Sequence, residues 1–109
     1  IHKVDTVHKK ADLGIVIGET AYWSQGYGSD ALRTALRYGF GKLGLNKVSL
    51  DVLEYNARAL RSYERCGFVR EGVHREDVYK DGRFFNVIRM SILSREFQES
   101  ERARSAVAS

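Results

Sequence analysis

Trp23-Ser24-Gln25-Gly26-Tyr27-Gly28-Ser29-Asp30-Ala31 sets a glycine pair between an apolar, strand-like run and the start of a helical pattern. Two glycines let the backbone turn so that successive N–H groups converge, and the helix N-terminus behind them adds partial positive charge. Together these features hold a phosphate or pyrophosphate. The same spacing also serves a tight connection that binds nothing. Written as Gly26-Tyr27-Gly28-Ser29-Asp30-Ala31, the stretch further fits the G-x-G-x-x-A dinucleotide fingerprint, with Asp51 and Glu54 near the place of a ribose-binding carboxylate. An NAD-type module is therefore an alternative reading. Against it, the seven residues Glu19 to Gln25 separate the strand end at Gly18 from the first glycine, whereas the dinucleotide fold passes at once from strand to glycine. No third βα unit follows, and without a lysine after Gly28 the G-x-x-x-x-G-K-[ST] phosphate loop is absent.

Working outward, Leu13-Gly14-Ile15-Val16-Ile17 is apolar on both faces and predicts a strand over Leu13–Gly18 that is covered on two sides. Ser29 to Leu43 places Ala31, Leu32, Ala35, Leu36, Tyr38, Phe40 and Leu43 near helical spacings, and Gly44 stands where a left-handed C-terminal cap belongs. Lys47 to Leu53 alternates, with Val48, Leu50 and Val52 on one face and Ser49, Asp51 and Leu53 on the other. Asn56 caps a helix over Ala57–Cys66 that turns Ala59, Leu60 and Tyr63 to one side and stops at Gly67. Phe68 to Tyr79 and Phe84 to Leu93 are strands joined through Lys80-Asp81-Gly82-Arg83, whose Asp-Gly pair tolerates positive φ. The order is β-α-β-α-β-β. A right-handed crossover makes the first two strands parallel, and the closing hairpin gives a mixed sheet of α/β class.

With 109 residues the chain supports one small domain. We assign it to residues 1–93, followed by a polar C-terminal tail, 94–109, in which Phe97 is the only large apolar residue; a frayed helix or disorder suits its composition. No uncharged apolar run of about 18 residues is present, so no membrane partner is expected. A single cysteine, Cys66, excludes an internal disulfide scaffold and a cysteine-rich zinc site, and points to a reducing, cytoplasmic setting. The net charge of +4 favours anionic partners without choosing among them. Residues 1 to 10 lack a signal-peptide apolar region, and with Ile1 first and Met90 the only methionine the chain reads as a fragment.

Three stretches together resemble the GNAT superfamily of N-acetyltransferases, its RimJ/RimL type in particular. They are Ile17-Gly18-Glu19 through Tyr22 to Ala31; Asn56-Ala57-Arg58-Ala59-Leu60-Arg61-Ser62-Tyr63-Glu64-Arg65-Cys66-Gly67-Phe68; and the Val78 to Arg83 hairpin. Trp23 departs from the Gln or Arg that the superfamily's broad pattern sets three residues before the first glycine, and is similar to the aromatic of the RimJ/RimL type. The resemblance implies acetyl-CoA as cosubstrate. Carried over, it gives the pyrophosphate to Gln25, Gly26, Tyr27, Gly28 and Ser29, the pantetheine arm to the backbone of Ile17, Gly18 and Glu19, and a further contact with that arm to Asn56. It also implies that Leu13–Gly18 and Lys47–Leu53 splay into a V, that Tyr63 meets the departing thiolate, and that Asp51, with Glu19 second, stands where relatives carry a base. Elements that precede Leu13 in the family, and wall its acceptor site, are missing from this sequence. The resemblance further implies a primary amine as acceptor, either a protein N-terminus or a small amine.

Thioester aminolysis asks the protein to hold and neutralise the amine and to stabilise the oxyanion and thiolate, so no nucleophilic cysteine is needed, and Cys66 reads as a small buried hydrophobe. His2, His8 and His74 lack metal-ligand spacing, so no metal is expected. The row Arg58, Arg61, Arg65 reads as a solvated face, with contact to cofactor phosphates as its sharper reading. A basic nucleic-acid module using the six tyrosines and five phenylalanines for stacking is the non-enzyme alternative; no RNP-type run, KH loop or recognition helix supports it, and no nucleic-acid partner is expected. A sheet edge near Leu13 left without a partner, and an under-covered hairpin carrying Phe85, Val87, Ile88, Met90 and Ile92, predict a homodimer.

Overall fold

The structure, a computed structural model, describes residues 3–16 and 27–108. Asp5 starts the fold. Its Oδ1 accepts hydrogen bonds from the Val7 and His8 amides at 3.0 and 2.9 Å, its Oδ2 pairs with His8 Nδ1 at 2.8 Å, and Lys9 takes φ +56°. This Asx-type turn folds β1 (Lys3–Asp5) back antiparallel onto β2 (Lys10–Val16), with Lys3 opposite Asp12. The sequence reading had no element here. The outer edge of β2 is therefore covered from Lys10 to Asp12, while β1 does not extend along the expected open edge from Leu13.

α1 (Tyr27–Arg37) continues into a π-helical turn, Tyr38–Lys42, where the Leu43 amide reaches back to the Tyr38 carbonyl at 3.1 Å. The expected single helix to Leu43 widens where Gly39 and Gly41, poor formers of a regular helix, interrupt it. Gly44 ends the segment at φ +66°, as its position predicts. β3 (Lys47–Leu53) follows, then α2 (Ala57–Arg65), β4 (Val69–Lys80), β5 (Arg83–Leu93) and α3 (Ser94–Ala108). The β4–β5 turn uses Asp81 at φ +53° and Gly82 at φ +78°, the conformations that Asp-Gly was expected to supply.

The sheet order is β1-β2-β3-β5-β4, with β2 parallel to β3 and the other pairs antiparallel. One face of β3 and β5, built from Val48, Leu50, Val52, Ile88, Met90 and Ile92, forms a single core with Leu32 and Leu36 of α1, Ala59, Leu60 and Tyr63 of α2, and Phe97 of α3. The C-terminal stretch is thus a helix, anchored through Phe97, whose ring lies 5.4 Å from that of Phe40. The three helices together bury Ile88, Met90 and Ile92 in this core, and Val87 is buried on the opposite face, contrary to the expectation that they would seek cover. The large apolar residues that stay exposed on the hairpin are Val69, Val73, Tyr79 and Phe84.

Gly67 follows α2 at φ +105°, and a Cβ built there would stand 3.0 Å from Ile92 Cδ1 in the core. Gly67→Ala is expected to destabilise the fold by about 1–3 kcal/mol, read as a lower urea midpoint with an unchanged slope.

Candidate functional site

Because β2 and β3 are parallel, the helix between them must run back along the sheet. The N-terminus of α1, with Tyr27, Gly28 and Ser29 in its first turn, therefore lies toward the carboxyl ends of both strands. α2 starts at the same end, with three residues between Leu53 and Ala57. Open α/β sheets bind ligands at such ends, where strand termini and helix N-termini converge. Ile17, Gly18, Glu19, Gln25 and Gly26 lie outside the described residues. Within the described part, β2 and β3 remain paired through Val16 and Val52, and the expected splaying of Leu13–Gly18 from Lys47–Leu53 is not seen there.

Asn56 caps α2 as its residue type predicts: Oδ1 accepts from the Ala59 amide at 3.2 Å. The cap occupies the acceptor end of the side chain, which leaves contact with a ligand to the donor end. Tyr63, on the second turn of α2, is 3% exposed and packs edge-on against Phe68 at 5.6 Å. Burial first, and the neighbouring Cys66 thiol second, push its phenol up to about 12. At neutral pH it is a proton-bearing donor in an apolar wall. Cys66 is buried behind it, while Arg58, Arg61 and Arg65 are exposed, as expected of a small core residue and a solvated face.

The other face of the sheet carries charge. Arg89 of β5 donates from Nη1 to Asp51 Oδ1 of β3 at 3.0 Å and pairs through Nη2 with Asp12 Oδ2 of β2 at 3.1 Å. Burial works against the guanidinium's charge, but the bonds to Asp51 and Asp12 outweigh it and raise its pKa. Beside this trio Lys47 Nζ meets Glu71 Oε2 at 2.6 Å, and the same oxygen accepts from Ser91 Oγ at 2.8 Å. The Lys47 bond, then that of Ser91, holds the Glu71 carboxyl below the usual range. A hollow of about 200 Å³, lined by Asp5, Lys10, Ala11, Asp12, Ser49 and Arg89, opens on this face. The structure thus places Tyr63 and Asp51 on opposite faces of the sheet, and it ties Asp51 to the Arg89 guanidinium. Sequence reading missed Arg89 and Asp12. The signal was there: a lone arginine inside Val87-Ile88-Arg89-Met90 must face away from the core that its neighbours fill.

Among the described residues no helix is long and apolar enough to cross a membrane, and no group of three or more His, Cys, Asp or Glu side chains is placed to hold a metal ion. The chain is a two-layer α/β protein whose strand carboxyl ends and helix N-termini meet at one end of the sheet, where folds of this class hold anionic ligands. Residues 1–69 match the family described as the acetyltransferase (GNAT) domain, and the chain belongs to that family. Among curated proteins it is similar to a spermidine N(1)-acetyltransferase of Vibrio cholerae, 34% identical over 87% of this chain and 54% of the relative. A spermidine N(1)-acetyltransferase of Escherichia coli is 32% identical over 87% and 50%. Among solved structures, the spermidine N-acetyltransferase of Vibrio cholerae in complex with CoA and spermine superposes with a TM-score of 0.77 at 33% identity, covering 87% of this chain and 56% of that one. The chain spans about half the length of the curated relatives it matches.

The Tyr63 phenol sets an alkaline limit to stability. Its folded pKa of about 12 exceeds the ordinary 10.0, so its contribution is complete below pH 10 and is lost as pH rises toward 12. Urea unfolding across that interval should show stability falling, and Tyr63→Phe should flatten the fall.

Proposed function

We propose that this chain is the cofactor-binding part of an acetyl-CoA-dependent N-acetyltransferase that acts on a small primary amine of the polyamine class. The observation that carries the reading is the convergence of the β2 and β3 carboxyl ends with the N-termini of α1 and α2, in a chain 33% identical to a solved enzyme whose complex contains CoA and spermine. Nothing observed supports the dinucleotide or nucleic-acid alternatives.

In this reading the backbone from Gln25 to Ser29 and the positive end of α1 take the pyrophosphate, and Ile17 to Glu19 pair with the pantetheine arm, with Asn56 touching it through its amide donor. The amine attacks the thioester carbonyl directly and the coenzyme leaves as a thiolate. Tyr63 stands to donate a hydrogen bond to that sulfur. A phenol at about 12 is a weaker acid than a thiol of ordinary pKa near 8.5, so the proton is shared rather than handed over, and the gain is modest. Asp51, paired with Arg89, serves the incoming ammonium better as a charge partner than as the group that removes its proton. The RimJ/RimL type, a protein N-terminus as acceptor and a cytoplasmic location form the second reading. For the last, a free buried thiol, Cys66, is support. A homodimer through the hairpin completes the proposal, supported by the exposed Val69, Val73, Tyr79 and Phe84.

Calorimetry on the chain should show acetyl-CoA binding, no NAD binding and no binding of single-stranded oligonucleotide. Gly28→Val should lower acetyl-CoA affinity by about tenfold in a folded protein, since a side chain there blocks close approach of a phosphate; an unchanged affinity rejects the loop assignment. In the full-length enzyme, spermidine should be acetylated faster than a peptide N-terminus, and Tyr63→Phe should lower kcat with little change in KM for acetyl-CoA. A monomer mass by light scattering at micromolar concentration rejects the homodimer.

A further inference from the structure

β2 does not run straight into the site. Asp12 stands opposite Ser49 and Ile15 opposite Asp51, so Leu13 and Gly14 together face Leu50 alone, a β-bulge with Gly14 at φ +84°. Without it Ile15 would pair with Val52 and point into the core. With it, Ile15 stands beside Asp51 on the charged face and Val16 takes the place beside Val52. A bulge reverses the facing of every later residue and steepens the local twist. Here the described residues beyond it are Ile15 and Val16, which lead to the stretch assigned to the pantetheine arm.

Two carboxylates bracket this bulge: Asp12 on its near side and Asp51 in the first pair beyond it. Asp12 Oδ1 accepts from the Gly14 amide at 2.8 Å, which fixes the bulged residue itself, while Oδ2 pairs with Arg89. The other arm of the Arg89 fork holds Asp51. One planar guanidinium therefore joins the strands on both sides of the irregularity, a geometry that the point charge of a lysine cannot reproduce. The side chains of all three residues are part-exposed, so their pairing adds little to global stability.

We propose that Arg89 is a positioning residue of the cofactor site: by joining the two carboxylates that bracket the β2 bulge it fixes the phase of that strand, and so the direction in which its end meets acetyl-CoA. This rests on the cofactor reading given above. The test compares the wild-type chain with Arg89→Lys, Arg89→Met and Gly14→Ala by amide hydrogen exchange and by calorimetry with acetyl-CoA. In Arg89→Met the Gly14 amide should exchange about tenfold faster while the Leu50 and Met90 amides keep their protection, and acetyl-CoA should bind about tenfold more weakly. Arg89→Lys should recover only part of both, and adding Gly14→Ala to Arg89→Met should weaken binding by less than the two single effects combined, because both act on one bulge. Unchanged exchange at Gly14, faster exchange spread equally through the core, unchanged affinity, or full recovery by lysine overturns the proposal. Failure of the wild-type chain to bind acetyl-CoA overturns the cofactor reading and the strand's aim with it, while exchange at Gly14 still decides whether Arg89 holds the bulge.

Discussion

β3 is bonded along both edges and must satisfy both faces of the sheet. It pairs parallel with β2 and antiparallel with β5, so its alternate residues have no freedom of side. Val48, Leu50 and Val52 enter the core against the helices; Ser49 and Asp51 meet Ser91 and Arg89 across the next strand. A slip of one residue would drive Asp51 into the apolar layer and bring Leu50 to the charged face, which burial of a carboxylate forbids. The parallel pairing in turn obliges α1 to run back along the sheet. That return places helix N-termini beside strand carboxyl ends, and the candidate site exists because of it.

The two faces have separate duties. The apolar face holds the fold together, since the helices place Leu36, Leu60 and Phe97 against it, and it also buries Tyr63 and keeps that phenol protonated. The charged face holds geometry. Its ion pairs are part-exposed and individually weak, yet they tie strands together at a defined register, two of them across an intervening strand: Arg89 links β5 to β3 and, past β3, to β2, and Glu71 links β4 to β5 through Ser91 and, past β5, to β3 through Lys47. Fully apolar side chains there would give more burial but less definition of which residues oppose which.

Local chemistry was legible from sequence wherever a residue type has one conformational use. Asn56 caps α2, Gly44 and Gly67 stop their helices in the left-handed region, and Asp81-Gly82 closes the hairpin, each for a reason contained within a few residues. The alternation of Lys47–Leu53 identified a two-faced strand, and the apolar spacing identified both interior helices. The features that escaped depend on partners distant in sequence. The Asp5 turn forms a strand because β2 lies beside it, α3 is ordered because Phe97 finds Phe40, and the bulge at Gly14 is visible only against the register of β3.

By itself, then, the sequence determined the order of the elements, their caps and the faces they bury, because turn dihedrals and hydrophobic periodicity are properties of short stretches. The tertiary structure decided which carboxylates share Arg89, which side Asp51 faces relative to Tyr63, and how β2 is phased past its bulge. Those are matters of register between strands tens of residues apart, and register is set by pairing and packing across the sheet.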